Sequence, residues 1–447
     1  MKNKKRARIS YPRLLAGGFG ILILIGALLL TLPIASKSGQ WSDPVNCLFT
    51  ATSATCVTGL IAYDTFTHWS MFGQLVILFL IQIGGLGFMT IISIFAMLAK
   101  KRISLRDRLL LMQSSGSMDL DGVGRLIQRI IVGTLFFEMA GAVLLSIRFI
   151  PMYGWGEGIY NAIFHSVSAF CNAGFDLMGK EGAFSSLTTF NSDPLVLITV
   201  ILLIVIGGIG FLVWSDISHY KCKLKRYSLH SKIALTTTVV LLIGGTLFYY
   251  FAERGGNLAA FSEGDKWLNA AFQSVTLRTA GFNAVDQSAL SPAGSILGCI
   301  LMLIGGSPGS TAGGVKTVTI AVVLIAAFAL SRNRRETEVF KRRLPDGAIR
   351  QAFAVLIIYI IVLFTSVILL SFTESFDLRE IFFEVSSAIG TVGITMGITQ
   401  SLSLFGKLLI TFVMFFGRIG GLSMVMAFSE DRPKPHMQRP EENILIG

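Results

Sequence analysis

Four stretches of the chain share one pattern: NCLFTATSATCVTGL (46–60), NAIFHSVSAFCNAGF (161–175), NAAFQSVTLRTAGF (269–282) and EIFFEVSSAIGTVGI (380–394). Each has an early Phe (49, 164, 272, 383), then small and hydroxyl residues, then a Gly followed by an apolar residue (Gly59, Gly174, Gly281, Gly393). Phe and Gly are ten residues apart in three copies and nine in the third, and successive glycines are 115, 107 and 112 residues apart. Such regularity marks an internal repeat. The chemistry on offer is that of the backbone. Glycine permits positive φ and close backbone approach, so these turns can aim carbonyl oxygens at one point. A ring of carbonyls replaces part of a cation's hydration shell.

These turns need a scaffold that encloses them. The chain is 53% hydrophobic and 14% charged, against roughly a quarter charged in soluble proteins. Its apolar residues gather at 14–34, 71–98, 127–150, 195–217, 232–252, 294–330, 351–373 and 406–428. A helix of about 20 residues crosses ~30 Å of hydrocarbon, so eight transmembrane helices are expected. The four glycine-bearing stretches lie between paired spans and are too short to cross, which suits re-entrant pore helices. The fold class is therefore all-α integral membrane, with four tandem span–loop–span repeats around a pseudo-fourfold pore. The repeats are read as 14–102, 123–222, 229–335 and 346–430, between a basic N-terminus (1–13) and a tail (431–447). Non-helical backbone at membrane depth must line water or be buried in protein. A pore helix also turns its partly negative C-terminal end toward the cavity, which favours a cation.

The net charge of +12 does not point to nucleic acid. Basic residues bunch at 1–13, 100–108, 221–232 and 332–350, each separated from the next by a pair of spans. That alternation is the positive-inside pattern, placing both termini in the cytoplasm and the lipid bilayer as the surrounding partner. The first apolar run is too long for a signal-peptide core and is read as a retained span. The five cysteines (47, 56, 171, 222, 299) form no CxxC pair. With no HExxH, no GxSxG and no convergent carboxylate–histidine pair, an intramembrane enzyme is excluded. No GxxxxGK[ST] or strand-linked GxGxxG is present, so no covalent or nucleotide cofactor is expected.

A second glycine signature follows each loop: IGGLG (83–87), IGGIG (206–210), IGGSPG (304–309) and FGRIG (416–420). Packing against the neighbouring pore helix is its main reading. The sixth span alone is expected to be broken, at Gly305, Gly306, Ser307, Pro308, Gly309, Ser310, Thr311, Ala312, Gly313 and Gly314, because Pro lacks a donor and Gly weakens helix. That element is either an intramembrane gate or a kink satisfied by its neighbours. Lys316, just beyond, either anchors the loop or snorkels to the interface. Arg418 in the last span costs about 2.5–3.5 kcal/mol to insert and must face the interior. It either meets helix-end carbonyls or a carboxylate, or places a positive charge below the filter. Arg278 and Glu384 are expected to pair with each other or with polar groups behind the loops. His165 is expected to be a hydrogen-bonded packing residue.

TCVTGL (55–60), CNAGF (171–175), TLRTAGFN (276–283) and GTVGIT (390–395) resemble the four pore loops of the Trk/Ktr/HKT superfamily, most closely the bacterial Ktr membrane subunit (KtrB/KtrD type). IQIGGLGFMT (81–90), IGGIGF (206–211) and GRIGGL (417–422) add to the likeness. The resemblance implies a selectivity filter at Thr55, Cys56, Val57, Thr58 and Gly59; Cys171, Asn172, Ala173 and Gly174; Thr279, Ala280 and Gly281; Thr391, Val392 and Gly393. It places K+ at the four glycines, a gating loop in the sixth span, and Arg418 in a constriction. Serine at the first glycine accompanies sodium preference in some plant members, so four glycines imply potassium. A homodimer on a cytoplasmic nucleotide-binding RCK ring (KtrA/KtrC type) is also implied, with the tail ILIG at a subunit interface. Sodium is left open as an activator. Alternating-access cation symport is the other transport reading, although carriers favour two-fold inverted repeats.

Overall fold

The computed structural model describes residues 11–87, 123–221, 223–334, 336–421, 423–424 and 442. The tail ILIG, the basic cluster at 100–108 and most of the N-terminus lie outside the described residues.

Among the described residues four helices are long and apolar enough to cross a membrane alone: α1 (Tyr11–Thr31), α4 (Val123–Tyr153), α8 (Leu229–Glu253) and α12 (Asp346–Thr373). Their outer faces carry exposed apolar residues such as Leu28, Phe136, Val240 and Phe364, as lipid contact requires. This is a helical, multi-pass membrane architecture. Each long helix is followed by a short buried one: α2 (Pro44–Cys56), α5 (Trp155–Phe170), α9 (Glu263–Thr276) and α13 (Leu378–Gly390). A non-helical turn and a second apolar helix come next: α3 (Met71–Leu86), α6 (Pro194–Gly208), α10 (Pro292–Leu303) and α14 (Leu404–Ile419).

Local sequence explains where these elements start. Ser70, Asp193, Ser291 and Ser403 each accept a backbone N–H from the first turn of the helix they precede, satisfying donors that would otherwise be orphaned. Asp43 does the same for α2, and Asp377 with Glu380 forms a capping box on α13.

The helix ends correct one expectation. A break was expected in the sixth span alone, yet the fourth span is broken as well, and among the described residues α3 and α14 also end at a glycine. The chain turns through 93° between α6 and α7 (Phe211–Tyr220). Gly87, Gly210 and Gly420, each the last glycine of its signature, have φ of 85°, 96° and 89°. In the sixth span, non-helical backbone separates α10 from α11 (Thr317–Ser331). A 3.6-residue apolar pattern runs through such a glycine without a gap, so these helix ends left no mark in hydropathy. In three of the four signatures an earlier glycine packs on the short buried helix of its own repeat, whereas Gly305 of the third meets Gly313 O. A Cβ at Gly84 would strike Thr55 O, at Gly207 Phe170 O, and at Gly417 Ile389 O.

Candidate functional site

The four short helices are anchored by their phenylalanines: Phe49, Phe164, Phe272 and Phe383 are 0% exposed. Each helix ends in a turn with two left-handed residues. The glycines have φ of 96° (Gly59), 69° (Gly174), 87° (Gly281) and 97° (Gly393). Two positions earlier stand Val57 (57°), Asn172 (59°), Thr279 (75°) and Thr391 (52°). Non-glycine residues there cost of order 1–3 kcal/mol and persist only where the surroundings hold them.

The holding groups are visible. Thr58 N donates to Ser53 O (2.8 Å) and Gly59 N to Ser53 Oγ (3.0 Å). Val392 N donates to Ser387 O (2.8 Å) and Gly393 N to Ser387 Oγ (3.0 Å). Ala173 N donates to Ser168 O (2.8 Å). The third loop, one residue shorter, substitutes Thr276, whose O accepts from Ala280 N (2.9 Å) and whose hydroxyl donates to Phe282 O (2.8 Å). The loop N–H groups are thus turned back to their own helices. Among the described residues nothing donates to the carbonyls of Thr58, Ala173, Ala280 or Val392.

The four turns meet. A Cβ on Gly59 would lie 2.5 Å from Ala173 O, and one on Gly174 would lie 2.8 Å from Ala280 O. One on Gly281 would strike Val392 O, and one on Gly393 would strike Thr58 O. The contacts close into a ring in chain order, first loop to second, third, fourth and back. Each carbonyl concerned belongs to the residue just before a glycine. Asn172 bridges two loops through the Thr279 hydroxyl (3.2 Å). Thr55 and Cys56 end α2 and Cys171 caps α5, all buried away from solvent.

Beneath the ring lies the segment from Gly305 to Lys316. Its backbone is shared with neighbours: Gly305 N donates to Val315 O (2.8 Å), Ser307 N to Gly208 O (2.9 Å), and Phe211 N to Gly309 O (2.8 Å). The bend between α6 and α7 is therefore completed by this loop around Pro308. Ser307 and Thr317 hydroxyls lie 3.2 Å apart. The Thr311 hydroxyl donates to Phe170 O (3.2 Å), and a Cβ on Gly313 would strike the Thr391 side chain. Lys316 Nζ donates to Ala312 O (2.5 Å) and Gly313 O (3.3 Å), so the ammonium turns into the loop. Ser310 Oγ is buried without a partner among the described residues; Gly306 O accepts from Thr317 N (3.1 Å), and a Cβ on Gly314 would lie 3.1 Å from Gly390 O at the end of α13.

Arg418 donates to Thr311 O and Gly84 O, with Gly85 O at 3.4 Å. Of the options open in sequence, helix-end carbonyls receive it. It clamps the loop to the end of α3. Arg278 and Glu384 do not pair: Arg278 reaches Gly305 O (3.4 Å), and Glu384 accepts from Thr395 (2.6 Å) and Thr399 (2.5 Å). His165 is packed against Phe149 and Phe282 and bonded to Asn161 O (2.7 Å) and Leu177 N (3.3 Å).

Sequence reasoning missed two features. One is the serine six residues before three of the four glycines (53, 168, 387), a periodic signal that was there to read. The other is Glu138, 6% exposed within α4, which accepts from Gln82 (3.0 Å) behind Cys171. A lone carboxylate in an apolar run is reason enough to single a residue out.

Fold and site define a multi-pass helical membrane protein with four converging glycine-bearing loops. The family described as "TrkH: Cation transport protein" matches residues 18–439. The chain is 42% identical to the potassium/sodium uptake protein NtpJ of Enterococcus hirae, over 100% of this chain and 99% of the relative. It is 38% identical to the Ktr system potassium uptake protein B of Bacillus subtilis, over 99% and 98%. The crystal structure of the potassium transporter TrkH from Vibrio parahaemolyticus shares the fold, with a TM-score of 0.73 at 17% identity, covering 96% of this chain and 87% of that one. The chain belongs to the TrkH family of cation transport proteins. Its relatives are named as transporters, not enzymes.

Proposed function

We propose that the chain takes up potassium ions across the cytoplasmic membrane through a filter made by the four loops, as repeats around a pseudo-fourfold axis. The observation that carries this reading is the closed ring of glycines, each facing the carbonyl-bearing residue of the next loop. Carbonyls left without donors offer a cation oxygen ligands in place of water. The segment 305–316 acts as the gate, held by Arg418 and Lys316. Sodium acts as an activator rather than as the main cargo. The names of the relatives support potassium as the substrate. Both termini lie in the cytoplasm, and the subunit forms a homodimer on a nucleotide-binding ring of the KtrA/KtrC type. Four loops in one repeated arrangement, rather than the two-fold inverted halves of many carriers, favour a gated pore over alternating-access symport.

Expression in cells lacking their own potassium uptake tests the reading: growth at low potassium should be restored, and failure of a correctly inserted chain to restore it would overturn it. A sharper expectation concerns the buttressing serine. Ser387→Ala leaves Gly393 N–H buried without an acceptor, at about 1–3 kcal/mol. Potassium uptake should then become more sensitive to competing sodium, while Ser386→Ala, whose hydroxyl has no partner among the described residues, should not. Equal behaviour of the two variants in a competition assay would remove the serine from the filter's support.

A further inference from the structure

Each phenylalanine that anchors a short helix is followed at once by a polar residue: Thr50, His165, Gln273 and Glu384. All four are buried. One step along a helix turns a side chain by about 100°, away from the anchor. In three of the loops that turn brings the polar group against the limb of chain leaving the glycine. His165 Nε2 accepts from Leu177 N (3.3 Å), three residues beyond Gly174. Gln273 and Gln287 exchange amide hydrogen bonds (2.6 and 3.1 Å), six residues beyond Gly281, and Gln287 Nε2 also donates to Val285 O (2.9 Å). Glu384 accepts from the hydroxyls of Thr395 (2.6 Å) and Thr399 (2.5 Å), two and six residues beyond Gly393.

The first loop reaches the same end differently. The Thr50 hydroxyl turns back to Asn46 O of its own helix (2.9 Å), and Asn46 Nδ2 donates to the Tyr63 hydroxyl (3.0 Å), four residues beyond Gly59. Each loop is thus tied on both sides of its glycine. Ser53, Ser168, Ser387 and Thr276 hold the side before it, and these polar groups hold the side after it. Carbonyls that receive no donor have nothing of their own to fix them, and a working geometry has to be kept to within about 0.5 Å by its supporting groups. The ties differ in strength. Hydrogen bonds to a carboxylate are roughly twice as strong as those between neutral groups, and Glu384 uses both of its oxygens while 0% exposed.

We infer that His165, Gln273 and Glu384 are positioning residues for ion selection, each clamping the limb beyond its glycine to the short helix before it, and that Glu384 has the largest share. It acts through Thr395 and Thr399 on the carbonyl of Val392, without touching the ion. The inference rests on the transport reading above, which supplies the selectivity to be measured.

The test is inhibition of potassium uptake by sodium, in cells lacking uptake of their own, with variants compared at equal amounts of inserted protein. Glu384→Ala should lower the sodium concentration that halves uptake by about tenfold, the order of one lost hydrogen bond to a charged group. Glu384→Gln should stay near the parent, because its amide accepts from one hydroxyl and donates to the other. Thr399→Val should move in the direction of Glu384→Ala by less, and it tests the same tie where Glu384→Ala fails to insert. The double variant should be no more sodium-sensitive than Glu384→Ala alone, since both changes break one interaction. A slower Glu384→Ala with the parent's sodium sensitivity, or single effects that add in the double variant, would leave Glu384 a packing residue and overturn the inference. Glu384→Gln as impaired as Glu384→Ala would overturn it too, by making the charge rather than the clamp the cause. A parent that takes up no potassium would fail at the earlier step, the transport reading itself.

Discussion

Gly59→Ser should still deliver the chain to the membrane but lose most of its preference for potassium over sodium. The backbone at this position has φ of 96°, where a side chain costs of order 1–3 kcal/mol. A Cβ would also lie 2.5 Å from Ala173 O and 3.3 Å from Gly393 Cα. Both neighbours are backbone and cannot rotate aside. The first loop must therefore retreat from the axis, or the second must, and either movement withdraws a carbonyl from the ring. A tenfold loss of preference corresponds to only about 1.4 kcal/mol, less than the upper end of the strain imposed. Uptake of potassium measured against rising sodium reports the change. Unaltered selectivity in a well-expressed variant would separate Gly59 from the filter.

Deleting Gly309–Gly313 should have the second large effect, in the opposite sense: faster uptake with weaker control. The deleted residues include Thr311, whose hydroxyl hangs the segment from Phe170 O and whose carbonyl receives Arg418. They include both carbonyls that hold Lys316, and Gly309, which completes the backbone of the α6–α7 bend. Two cations are thereby released from the space beneath the ring, and the obstruction itself is shortened. Arg418→Ala should move flux the same way by a smaller amount, since it breaks the clamp to α3 and leaves the loop in place. Flux is read as initial uptake rate per inserted protein. A deletion variant with the parent's rate and regulation would reduce the segment to a structural kink.

Much of this was legible in the sequence because the glycine quartet is periodic. Spacing alone placed Gly59, Gly174, Gly281 and Gly393 in matched loops, and the structure brings all four together. The phenylalanine anchors were equally plain. Less legible were the left-handed residues two places earlier: Val57, Asn172, Thr279 and Thr391 share a conformation but no chemistry, and nothing in a valine announces positive φ. That conformation comes from the loop N–H groups returning to Ser53, Ser168, Ser387 and Thr276, which is a tertiary outcome. The helix ends at Gly87, Gly210 and Gly420 were hidden for a related reason. Glycine inside an apolar run serves helix packing and helix ending equally well, and only contact with a short buried helix or the 305–316 loop decides between them. Charge left two readings open for Arg278 and Glu384, a mutual pair or polar neighbours behind the loops, and the second holds: a carbonyl takes Arg278 and two hydroxyls take Glu384.

The most direct measurement is anomalous scattering from crystals of the full-length chain grown with rubidium or thallium in place of potassium. A peak on the axis within coordinating distance of the carbonyls of Thr58, Ala173, Ala280 and Val392 is the predicted result. Heavy-ion density found only elsewhere, with nothing between the four glycine turns, would contradict the claim that these carbonyls stand in for water around the transported ion.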